Sequence, residues 1–319
     1  MRAEPVTNPD LLDLRATIVT CIAAVGLTLQ WMRGADLGFL LIDYETWPEQ
    51  PWRLATACLL HGGLFHLIFN VLWVWRFGQI VEPVFGLLAT AGMYVLFGAG
   101  GAAAQWAFRG GAIGLSGAVY GLFALLWALD RYHPRFRGVM DEGTTRLMAV
   151  WFFFCVAATA LGWLRVANVA HGVGALLGGL LGLWLSPFPA RRAAGRLGLP
   201  VAVVAIALLS TVGRPFVNVS GDRAYELAID AMQRLEREEY EDAIVLYQRA
   251  IDRREDFAHA WHNLGYCYQE LGRMNEARQA FARAEAIRRA DSALDEPDRA
   301  PAEGLMDLSD RLRGGAEEG

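Results

Sequence analysis

The chain has 319 residues, of which 54% are hydrophobic and 20% charged, and its mean hydropathy of +0.25 is high for a soluble domain. All 29 cationic side chains are arginine, and they are unevenly placed: residues 1–215 carry a net charge of +4 and residues 216–319 a net charge of −9. An apolar, slightly basic first part followed by a polar, acidic second part excludes one uniform soluble domain, and it excludes a nucleic-acid binder, which needs a basic face.

Taken in chain order, seven apolar stretches suggest membrane spans: residues 16–32, 61–80, 84–108, 116–129, 146–164, 167–186 and 197–212. The fourth and seventh are short for a bilayer core, and residues 111–115 and 215–219 are expected to complete them. Arg15 is followed by no small-residue cleavage site before Arg33, so the first stretch is expected to remain as a span. With the N-terminus inside, inner segments hold ten arginines and outer segments five (Arg33, Arg53, Arg109, Arg165 and Arg214). That bias predicts a cytoplasmic N-terminus and places the residues after the seventh span outside.

Polar side chains inside spans are costly, which makes them candidates for function. Span two carries His61, His66 and Asn70. Span four opens Gly114-Leu115-Ser116-Gly117, with Tyr120 one turn on, and span six opens Asn168-Val169-Ala170-His171, followed by Gly174, Gly178 and Gly182. Taken singly, a membrane serine ordinarily bonds back to its own helix, and small residues at helical spacing ordinarily serve packing. Here all three spans enter from the outer side with these groups in their first halves, so the groups share one depth. The glycines of span six allow close approach to span four, which brings His171 to Ser116. A serine and a histidine at one level are a nucleophile and its base.

These residues resemble a known family. H61-GGLF-H66-LIF-N70, G114-L-S116-G117 and A170-H171-GV-G174, together with Trp52-Arg53 in the first outer loop, look like the rhomboid intramembrane serine proteases over residues 14–190. The resemblance implies an all-α, polytopic membrane protein with a six-helix core over residues 1–190, and residues 197–213 add a seventh helix. It implies a catalytic dyad of Ser116 and His171, and an oxyanion hole from His66, Asn70 and the Ser116 N–H. It also implies Tyr120 packed against the His171 ring and Gly114 permitting the tight approach before the serine. The implied substrates are transmembrane protein segments cut near the outer face.

The chemistry agrees with that assignment. Neutral imidazole suits the task of taking a proton from serine, and a third, charged member would be expensive to bury in a membrane. Position 118 is Ala, so the serine is not in a G-x-S-x-G elbow. Two other readings fit less well. A catalytically inactive rhomboid-like client-binding protein generally lacks the dyad, and a transporter would carry charged midplane residues and paired broken helices. Cys21, Cys58, Cys155 and Cys267 have neither disulfide nor metal-site spacing, and no metal or cofactor is expected.

From residue 224 the pattern becomes amphipathic and helical. Trp261-x₂-Leu264-Gly265-x₂-Tyr268, followed by Ala277, Phe281 and Ala284, has the spacing of a tetratricopeptide repeat. Thirty-four residues earlier, Ala243, Tyr247 and Ala250 repeat the second-helix classes, while Leu227 and Ala231 stand in for Trp and Gly. Two repeats are expected over residues 224–291, binding a protein or peptide partner, with His259 and His262 as surface and groove residues. The Gly/Pro-punctuated acidic residues 292–319 are expected to be a disordered tail. The whole is expected in a bacterial inner membrane, with lipid around the spans.

Overall fold

The computed structural model describes residues 9–42, 47, 49–219 and 223–293. They form two compact units that divide after Asn218, all of the regular structure among them being helical. The acidic tail expected over 292–319 lies almost wholly outside the described residues.

The first unit is a bundle of seven long helices, joined by irregular segments and a few single-turn helices. They are α1 (Arg15–Met32), α2 (Leu64–Phe85), α3 (Leu87–Phe108), α4 (Ser116–Tyr132), α5 (Glu142–Ala160), α6 (Asn168–Trp184) and α7 (Pro189–Ser210). Five of them, α1, α2, α3, α5 and α7, are long and apolar enough to cross a membrane. Their outward faces carry bare apolar side chains such as Ile22, Ile68, Leu88, Val95, Val150, Phe153 and Val204, as lipid contact requires. The 17-residue α4 and α6 are shorter. Helix α4 sits in the middle of the bundle and touches α2, α3, α5 and α6.

Several boundaries differ from those read in the sequence, each for a local reason. Span two begins at Leu64, not residue 61, because the Gly62-Gly63 pair favours extended backbone (Gly63 φ 168°) and leaves His61 in the preceding loop. Gly86 (φ +81°) ends α2 and delays α3 to Leu87. Span four takes no residues from 111–115, since its helix starts at Ser116. The fifth helix starts early because Asp141 caps it, accepting from the Thr144 N–H (2.7 Å) and hydroxyl (2.6 Å). Those bonds hold the Asp141 carboxyl below its usual pKa. The seventh helix runs 22 residues, not 16, because Pro189 sits at its first position, where a proline suits helix entry. At 1.5 Å per residue it is about 33 Å long, enough for a bilayer core.

One buried carboxylate went unread in the sequence. Glu82, 2% exposed near the end of α2, accepts from the N–H groups of Ala16 (2.6 Å) and Thr17 (2.9 Å) and from the Thr17 hydroxyl (2.7 Å). It caps the N-terminus of α1, where orphan N–H groups and the helix dipole favour an anion.

The second unit holds two helical hairpins: α8 (Arg223–Glu236) with α9 (Tyr240–Arg253), and α10 (Ala258–Glu270) with α11 (Met274–Ala293). Small residues let them pack closely. A Cβ at Gly265 would lie 2.9 Å from the Phe281 ring. Ala231, its counterpart 34 residues earlier, is fully buried, whereas Leu227, in the place of Trp261, is only half buried. The buried Asn263 donates to the Tyr247 hydroxyl (3.2 Å). Burial pushes the Cys267 thiol up to about 12, which leaves it an inert core group.

Candidate active site

Two glycines of α6 set the site. A Cβ at Gly174 would collide with the Gly117 carbonyl, and one at Gly178 with the Gly121 carbonyl, so α6 lies backbone to backbone against α4. Gly101 of α3 approaches Ala170 similarly, where a Cβ would be 2.7 Å from the carbonyl oxygen. His171, on the first turn of α6, thereby faces Ser116, the first residue of α4. His171 Nε2 lies 2.8 Å from Ser116 Oγ, and His171 is 4% exposed. The Tyr120 ring sits 4.8 Å from the imidazole at an interplanar angle of 31°, and its hydroxyl donates to the Met148 carbonyl of α5 (3.3 Å).

The segment before the serine is held by histidines. Gly114 adopts φ +96°, a conformation other residues rarely take. A Cβ there would stand 2.5 Å from His66 Cε1, so His66 lies directly against this segment. In the sequence His61 is a polar residue of span two with no role implied. It is fully buried and accepts from the Leu115 N–H through Nε2 (3.3 Å), with Nδ1 3.4 Å from the Thr28 hydroxyl. The two imidazoles pack edge to face, 4.9 Å apart. Helix α4 opens without a side-chain cap, so its first N–H groups are free of competing side chains at the serine.

Of the residues singled out from sequence, Ser116, His171 and Tyr120 are in mutual reach, and His66 joins them through Gly114. Asn70 is fully buried, but its amide donates to the His66 carbonyl on its own helix (2.8 Å) and not to the serine segment. In the first loop, Arg53 is buried and donates to the Leu41 carbonyl (2.9 Å) and Gln50 Oε1 (2.7 Å), while Trp52 is exposed.

Residues 48–188 match the family model of the Rhomboid domain. The chain carries a rhomboid domain. Residues 234–296 match that of the Tetratricopeptide repeat. Among curated proteins, the Rhomboid protease GlpG of Photorhabdus laumondii is 33% identical over 166 residues, covering 48% of this chain and 56% of that protein. Its namesake in Serratia proteamaculans is 31% identical over 154 residues (45% and 54%), and that of Yersinia pestis 30% over 178 (53% and 61%). The chain thus spans between about half and three-fifths of the length of these relatives. The matched rhomboid domain contains α2 to α6 entire, and with them every residue of the Ser116–His171 cluster; α1 and α7 flank it.

Proposed function

We propose that the chain is an intramembrane serine endopeptidase that cleaves transmembrane protein segments. The observation that carries this reading is the 2.8 Å contact between Ser116 Oγ and His171 Nε2 at an uncapped helix N-terminus. In this mechanism neutral His171 takes the serine proton as Oγ attacks the scissile carbonyl, then returns it to the leaving amine. Water, deprotonated by the same imidazole, hydrolyses the acyl-enzyme. The Ser116 N–H and the positive end of α4 face the developing oxyanion. His66 is placed to assist, and so is Asn70, whose second amide hydrogen has no acceptor on its own helix. Tyr120 holds the imidazole plane.

The oxyanion assignment is testable by substitution. Asn70→Ala is expected to lower kcat on a model transmembrane substrate in liposomes by about 10²–10³, with little change in KM. A rise in KM alone would place Asn70 in substrate binding instead.

On membrane side, the reading is a cytoplasmic N-terminus in a bacterial inner membrane, with the dyad toward the outer face. The end of α7 supports a full crossing. Trp47 Nε1 donates to the Ser210 carbonyl (2.8 Å), and Arg214 donates to the carbonyl of Arg109 (3.3 Å) while its guanidinium lies 3.8 Å over the Trp106 ring. These partners belong to the first loop and to the end of α3, at the level where α4 begins. The chain then leaves the membrane on the outer side, and the tetratricopeptide repeats recruit a protein or peptide there. A reporter fused after Gly319 checks the side: alkaline phosphatase should be active and a cytoplasmic fluorescent protein dark. The reverse pattern would put the repeats inside.

A further inference from the structure

Two buried polar atoms beside the base have no partner in the structure: Nδ1 of His171 and Oδ1 of Asn168. They are complementary. His171 can accept a proton at Nε2 only if its own proton sits on Nδ1, which makes Nδ1 a donor. The Asn168 oxygen can only accept. Its amide is turned that way by α5. Asn168 Nδ2 donates to Thr159 Oγ1 (2.9 Å) and lies 3.4 Å from the Cys155 carbonyl. The Thr159 proton is already given to that carbonyl (2.8 Å). Both neighbours therefore present lone pairs, and only the NH₂ edge fits against them. The oxygen edge is left facing away from α5. Asn168 and His171 are three apart on α6, so they share one face, with Cβ atoms about 5–6 Å apart. One water spans such a gap, and a bridging water serves nearly as well as a direct bond.

We propose that Asn168 is the positioning residue of the base. Through one bridging water its Oδ1 accepts the His171 Nδ1–H and holds the imidazole in the tautomer whose Nε2 faces Ser116. This rests on the reading of His171 as general base. It supplies the orienting third member that serine hydrolysis usually takes from a carboxylate, without burying a charge. It also ties the base to α5, since Thr159 and Cys155 set the amide.

The test is nitrogen NMR of the full chain, labelled with ¹⁵N-histidine in detergent micelles, together with the rate at which a fluorophosphonate phosphonylates Ser116 with loss of fluoride. In the wild type His171 should be protonated at Nδ1, with the downfield proton of a hydrogen-bonded N–H. Asn168→Ala should shift His171 toward the Nε2-protonated tautomer and slow phosphonylation about five- to tenfold. In turnover, kcat should fall and KM stay unchanged. The proposal is overturned by an Nε2-protonated or unbonded His171 in the wild type, which needs no variant to fold. A folded Asn168→Ala protein with wild-type spectrum and rate overturns it equally. A wild type that is never phosphonylated defeats the protease reading instead, and the nitrogen spectrum still reports on Asn168.

Discussion

Replacing Ser116 or His171 with alanine is expected to abolish cleavage of a transmembrane substrate, lowering kcat by about 10⁴–10⁶. The two atoms that exchange the proton lie 2.8 Å apart at a part-buried position. Among the described residues no other hydroxyl is hydrogen-bonded to His171, and His66 lies against Gly114. The serine and histidine act as one unit, so the double replacement should cost little more than either single one. Purified protein in liposomes, assayed by product formation under single-turnover conditions, checks this. Substantial activity in Ser116→Ala would remove the serine from the chemistry.

The next largest effect is expected in the packing that creates the site. Gly178→Val should prevent stable folding or lower stability by about 3 kcal/mol or more, because even its Cβ would overlap the Gly121 carbonyl. Helices α4 and α6 would have to part, and His171 would leave Ser116. Gly179 is the control one residue away. A Cβ there meets nothing within 4 Å, so Gly179→Ala should be neutral or stabilise by up to about 1 kcal/mol. Thermal unfolding in one detergent compares the two. Equal effects would mean that α6 does not approach α4 through this face.

The glycine ladder of span six and the polar clusters on spans two, four and six were legible in the sequence because helical periodicity, membrane cost and chain order all constrain the same positions. The packing of Gly174 and Gly178 on α4 answers the spacing directly. The less legible features depend on backbone detail or on partners distant in sequence. His61 reads as part of a span until Gly62 and Gly63 break the helix, and only then does its ring reach Leu115. Glu82 looks like a stray charge at a span's end. Its three partners lie about 65 residues away at Ala16 and Thr17, and no local pattern announces them. The full length of α7 is not legible because Arg191, Arg192 and Arg196 count toward a charged inner segment, whereas Pro189 starts a helix that continues through them. In the second unit the hairpin of Trp261 and Phe281 was plain, while α8 has lost the Trp and Gly that mark a repeat.

Covalent capture of the nucleophile tests the central claim most directly. Membranes holding the wild-type chain are treated with a fluorophosphonate, digested and mapped by mass spectrometry. The account predicts a single adduct on the peptide containing Ser116, absent in His171→Ala, where no base remains to take the hydroxyl proton. An unmodified Ser116 in the wild type, or equal labelling with and without His171, would contradict it.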